Sequence, residues 1–118
     1  MYLTTAIFYT NGPPHIGHVL EWVLADVLVK ATKVITGNSV RFLTGTDEHG
    51  QKIAKTAEQL KVTPKELCDK LSKEFAELAH VLGLRPDRFI RTTDPDHRET
   101  VYKFIDSVKD DIYLRHIL

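Results

Sequence analysis

A single cysteine, Cys68, stands in the 118 residues, which leaves no internal disulfide and no Cys-based zinc site within this chain. On a helix beside an apolar stripe, it reads as a small buried hydrophobe and fits a reducing compartment. Net charge is absent as well. Sixteen basic and sixteen acidic side chains cancel, so no overall field draws the protein to nucleic acid or to an acidic membrane, and any RNA contact must be local. No run approaches the ~18 apolar residues of a membrane span, and the first residues show neither a secretory signal nor an Arg-rich, acid-poor presequence. These absences lead to the expectation of a soluble, cytoplasmic protein with no membrane contact, an organellar form being left open. One domain of this length buries roughly 60 to 70% of its unfolded surface.

Hydrophobic periodicity orders the rest. Tyr2 to Tyr9, β-branched and aromatic, reads as a first strand. From Ile16 the apolar positions Val19, Leu20, Val23, Leu24, Val27, Leu28, Ala31, Val34 and Ile35 form a helical stripe ended by Gly37 and Asn38. Val40 to Thr44 follows as a second strand, and a strand returning after a crossover helix pairs in parallel with the first. A shorter helix is expected from about Gln51 to Leu60, with Ile53, Ala57 and Leu60 inward. Thr63, Pro64 and Glu66 spell a capping box for a helix that places Leu67, Leu71, Phe75, Leu78 and Leu82 on one face and stops at Gly83. Phe89 to Thr92 reads as a third strand. Asp94-Pro95 then opens a helix with Val101, Phe104, Ile105 and Val108 inward, and Ile112 to Leu118 start a further apolar segment. The fold class is α/β, a Rossmann-like parallel sheet with helices on both faces.

The chemistry gathers at the first turn, where Tyr9-Thr10-Asn11-Gly12-Pro13-Pro14-His15-Ile16-Gly17-His18 joins a strand to a long helix. Open parallel sheets bind ligands at the carboxyl ends of their strands. Two such loops are visible, one carrying Asn11, Gly12, His15, Gly17 and His18, the other Gly45, Thr46, Asp47, His49 and Gly50. On strands about 4.8 Å apart they would face one pocket. Free N–H groups and the positive end of the helix dipole suit phosphate, and Gly17 would let a nucleotide approach the backbone. His15 and His18, three apart, project to one side and can donate hydrogen bonds to phosphate oxygens as charge builds. Glu21, one turn on, could accept from a ribose hydroxyl or an adenine amino group. No residue here looks like a nucleophile, so a substrate carboxylate attacking an α-phosphate fits better. Other readings stand beside this one: His15 and His18 as a cap plus a surface histidine, the pair as half of a zinc site lacking its other ligands, and Asp47 as the N-cap of the next helix.

That turn, together with Thr44-Gly45-Thr46-Asp47-Glu48-His49-Gly50-Gln51-Lys52, resembles the start of the methionyl-tRNA synthetases, which are class I aminoacyl-tRNA synthetases. The likeness extends through Phe89-Ile90-Arg91-Thr92-Thr93 to Asp111-Ile112-Tyr113-Leu114. His-Ile-Gly-His alone marks the class; Asn-Gly before it and Thr-Asp-Glu-His-Gly after the second strand point to the methionine enzymes. The resemblance implies a Rossmann-type catalytic domain, of which residues 1–118 form the N-terminal half up to the connective insertion. It implies formation of methionyl-adenylate from methionine and ATP, with Mg, and transfer of methionine to tRNA(Met). His15 and His18 would be catalytic, and Tyr9, Asn11, Gly12, His15, Gly17, His18 and Glu21 would bind ATP. Ala6, Ile7 and Tyr9 would line the methionine side-chain pocket, while Asp47 would receive the α-amino group. No metal ligand is implied in this chain. The family's zinc-binding insertion, Lys-Met-Ser-Lys-Ser-type loop and anticodon-binding domain have no counterpart here. The 118 residues alone are therefore expected to fall short of aminoacylation, and the remainder of a split synthetase is an expected partner. Small nucleotidyltransferases that share His-x-Gly-His, and a non-catalytic nucleotide-binding remnant, are the alternatives.

Overall fold

The computed structural model describes residues 1–113; residues 114–118, and with them most of the apolar segment expected after Ile112, lie outside the described part. Three parallel strands, β1 (Tyr2–Tyr9), β2 (Arg41–Asp47) and β3 (Arg88–Arg91), lie in the order β1-β2-β3. Helix α1 (Ile16–Thr36) connects the first pair, and α2 (Gln51–Leu60) with α3 (Pro64–Val81) the second. Helix α4 (Pro95–Ser107) and a short 3-10 turn (Lys109–Asp111) follow β3. The expected α/β class and parallel, Rossmann-like sheet are what form; helices on both faces were expected, whereas α1 and α3 share one core on the same face.

Two successive right-handed crossovers that advance in one direction place their helices on one face. The core agrees: Phe8 of β1, Trp22 of α1 and Phe75 of α3 pack together with Ala79 and Leu84. Trp22 meets Phe8 and Phe75 edge-on, with ring centroids 5.3 and 6.0 Å away. Its indole N–H donates to Thr44 Oγ1 at 2.7 Å. A second cluster, Ile53, Ala57, Leu67, Cys68 and Leu71, joins α2 to α3, and Thr10 Oγ1 lies 3.0 Å from Cys68 Sγ inside it. The cysteine is buried, as expected.

Helix ends follow their local chemistry. Thr63 and Glu66 close the capping box of α3 reciprocally, and Gly37 ends α1 in the left-handed conformation at φ 69°. Strand bounds moved. β2 runs on through Gly45, Thr46 and Asp47, which the sequence placed in a loop, because Gly45 pairs with Ile7 on one side and Ile90 on the other. A Cβ on Gly45 would stand 1.9 Å from the Ile90 carbonyl oxygen, so only glycine allows this approach. β3 is shifted back by one residue, although Thr92 N still donates to the Thr46 carbonyl.

Not every apolar stripe is packed. The α1 stripe points away from the sheet: Leu20, Leu24, Val27 and Leu28 are more than half exposed, and Val34 and Ile35 more than four-fifths. The packed face is the neighbouring one, with Trp22 and Ala25 buried. The large indole and its bond to Thr44 fix the helix rotation against the weaker pull of many small aliphatics. Leu60 and Leu82 are also exposed, and α4 buries none of Val101, Phe104 or Ile105. Periodicity marks an amphipathic helix without saying which surface covers it.

Candidate active site

β1 and β2 pair so that Tyr9 stands beside Asp47, and the two glycine-bearing loops leave the sheet from adjacent strand ends. The first loop starts α1 through its histidines. His15 is the N-cap, and its Nδ1 accepts from the Gly17 amide at 3.1 Å; His18 Nδ1 accepts from the His15 amide at 3.0 Å. This is a capping box made of two imidazoles, with the rings stacked at 3.7 Å between centroids. An Nδ1 that accepts carries no proton, so each neutral ring holds its proton on Nε2, the one donor it can turn outward. Burial against Phe8 and Phe75 pushes His18 below the usual imidazole range, and the neighbouring His15 adds to this while Glu21 opposes it. The cap reading holds for both side chains: Nδ1 serves the helix, and the cap makes no use of Nε2.

Gly17 serves the pair too. A Cβ there would meet the His15 ring at 3.0 to 3.1 Å, so the missing side chain makes room for the imidazole. Glu21 turns back to the strand, where its Oε1 accepts from Ala6 N at 2.7 Å. The β1–β2 register slips between Thr4 and Ile7, and Glu21 satisfies an amide freed beside that irregularity.

A hollow of about 460 Å³ opens along the end of β1. Ala6, Ile7, Tyr9, Asn11, Gly12, His15 and His18 line it, together with Phe8, Pro13 and Lys52. Most of the expected site residues thus share one concavity. Gly17, Glu21 and Asp47 do not line it; the first two hold its wall in shape. Asp47 ends β2 without capping α2, whose N-cap is Gly50. Its Oδ1 has the His49 amide at 3.4 Å, and its carbonyl accepts from Thr10 N at 3.3 Å. Asp47 is held by backbone, with its carboxylate only lightly engaged.

Sequence reasoning missed the side chain that anchors this strand end. Glu48 is completely covered and accepts from Arg91 Nε at 2.7 Å and Nη2 at 2.9 Å, from Thr46 Oγ1 at 2.8 Å and from Thr93 Oγ1 at 2.5 Å. Burial pushes its carboxyl up, but the bonds from Arg91, Thr93 and Thr46 and the guanidinium charge outweigh this and hold it below the ordinary range. Arg91 also reaches Asp69 of α3 at 2.6 Å, and Glu48 N donates to Thr92 Oγ1 at 2.8 Å. The ends of β2, β3 and α3 are thereby locked together next to Asp47. Lys52 was likewise quoted only as part of a motif. The available signal was charge: an acid beside a predicted strand end, and a base in the first turn of the next helix.

Known proteins place this arrangement. The family model described as tRNA synthetases class I (M) matches residues 1–117. A mitochondrial methionine–tRNA ligase of Candida albicans is 50% identical over 103 residues, which are 87% of this chain and 18% of that protein. The Thermotoga maritima methionine–tRNA ligase is 43% identical over 95% of this chain and 18% of its own length. Among solved structures, Mycobacterium tuberculosis methionyl-tRNA synthetase in complex with methionyl-adenylate superposes with a TM-score of 0.87 at 39% identity, over 92% of this chain and 21% of that one. This chain spans about a fifth of the length of such relatives. With the strand order, the paired imidazoles and the match along almost every residue in agreement, the chain belongs to the class I (M) family of tRNA synthetases.

Proposed function

We propose that this chain is the N-terminal part of the catalytic domain of a methionine–tRNA ligase, reaching as far as the connective insertion, and that it supplies one wall of the adenylation site. The observation that supports the proposal is that the paired imidazoles, whose Nε2 atoms the helix cap leaves unused, and Asp47 stand at adjacent parallel strand ends. ATP, entering as its magnesium complex, lies with its phosphates toward His15 and His18. Asn11, Gly12 and Tyr9 line its hollow, and Gly17 and Glu21 keep that wall in shape. Methionine sits against Ala6, Ile7 and Tyr9, with its ammonium at Asp47. Its carboxylate oxygen attacks the α-phosphorus, the bond to the β-phosphate oxygen breaks, and pyrophosphate leaves with the electron pair. A ribose hydroxyl of the terminal adenosine of tRNA(Met) then attacks the acyl carbon, loses its proton and releases AMP. The imidazoles donate to phosphate oxygens as charge accumulates, and the protein contributes position and electrostatics with no nucleophile of its own. The rest of the synthetase, on the same or a separate chain, contacts the tRNA, and the cytoplasm is the proposed compartment.

Methionine-dependent ATP–pyrophosphate exchange in the full reading frame tests this. His18→Ala should lower it about 100-fold or more, and Asp47→Asn should raise the methionine KM with little change in that for ATP. Exchange supported by a different amino acid would sink the assignment. The exposed apolar face of α1 favours a second reading, a non-catalytic binding module. That reading requires stable association of the chain through this face and no exchange in any reading frame that contains it.

A further inference from the structure

The hollow beside β1 has an unbalanced charge pattern. Both imidazoles use Nδ1 as an acceptor for a backbone amide, so in this arrangement each ring is neutral and offers one hydrogen-bond donor. A nucleoside triphosphate brings several negative charges and adds to them on the leaving pyrophosphate. Of the side chains lining the hollow, Lys52 alone is a cation and none is an anion. It sits in the first turn of α2, whose N-cap Gly50 provides no capping side chain. Most other ammonium groups of the helices are occupied: Lys30, Lys65, Lys70, Lys73, Lys103 and Lys109 each face a carboxylate within 4 Å. Lys52 has no such pairing among the described residues and lines the same hollow as the two histidines.

We infer that Lys52 is a phosphate-binding residue, which holds the terminal phosphates of a nucleoside triphosphate while His15 and His18 address the phosphate nearer the adenosine. The division follows from chemistry. A flexible ammonium with three donors suits a mobile, highly charged group, whereas two fixed neutral donors suit one orientation. The inference rests on the reading of this hollow as a nucleotide site.

Calorimetric titration of the protein with ATP and, separately, with adenosine tests both levels, using wild type, Lys52→Gln and Lys52→Arg. Lys52 is exposed, so the variants should keep the wild-type Tm. Loss of one charge-assisted contact should weaken ATP about tenfold or more in Lys52→Gln. Adenosine affinity should stay within about twofold, and Lys52→Arg should recover most of the loss. Unchanged ATP affinity in Lys52→Gln, or an equal loss for ATP and adenosine, overturns the role of Lys52 and leaves the nucleotide site standing. Wild type that binds neither ligand overturns both.

Discussion

Removing the guanidinium of Arg91 tests the account of how the β2 end is held. In Arg91→Met, Glu48 keeps the hydroxyls of Thr46 and Thr93 and loses both guanidinium bonds, while its side chain is fully covered in the native structure. Breaking one side of a buried pair costs about 3 to 5 kcal/mol, because the remaining charge stays desolvated. The contact with Asp69, whose side chain is 41% exposed, adds little. A chain of this length has roughly 6 to 18 kcal/mol in all, so the variant should fold with a clearly lower urea midpoint. The pH dependence carries the sign. In wild type, Glu48 is depressed below its usual value near 4.5; its contribution is present above that value and is lost as pH falls through the folded-state value. In the variant, burial acts without the guanidinium to oppose it, Glu48 takes up a proton more readily, and the stability gap to wild type narrows as pH falls from neutrality. Adding Glu48→Gln to Arg91→Met removes the buried charge and should recover part of the loss at neutral pH. Urea unfolding across pH 4.5 to 7.5 measures all of this. A loss below about 1 kcal/mol, or a gap that does not change with pH, would refute the reasoning.

Gly45→Ala should prevent normal pairing of β2 with β3, since its Cβ would collide with the Ile90 carbonyl; a cost above about 3 kcal/mol, or loss of a cooperative thermal transition, is expected, and a variant with wild-type Tm would contradict the close approach. For His18 the neutral ring is the one that caps α1, and its folded-state value lies below 6.5. The cap and the exchange reaction should therefore be intact above that value and fade as pH falls through the lower one; a rate that is flat from pH 7.5 to 5 would show that the Nδ1 acceptor role is unimportant.

Much of the site was legible because it is local. A His-x-Gly-His turn at a strand end contains its own caps, and the amides that His15 and His18 accept lie within three residues of each ring. Thr63, Pro64 and Glu66 announced α3 for the same reason. The extension of β2 to Asp47 was not legible, since it depends on β1 and β3 offering partners on both sides of Gly45. The rotation of α1 was not legible either, since it depends on Trp22 meeting Phe8, Phe75 and Thr44, all on other elements.

The sequence alone determined the alternation of strands and helices, the family and most of the residues around the first turn, because these are set by local propensity and by motifs a few residues long. Only the tertiary structure decided that Glu48 is an internal anchor bound to Arg91, forty-three residues away. It also decided that Gly17 makes room for an imidazole and that Lys52 is the single cation in the hollow. Each of these depends on which distant groups share a small, partly dry space, and burial and pairing there override what a side chain does by itself in water.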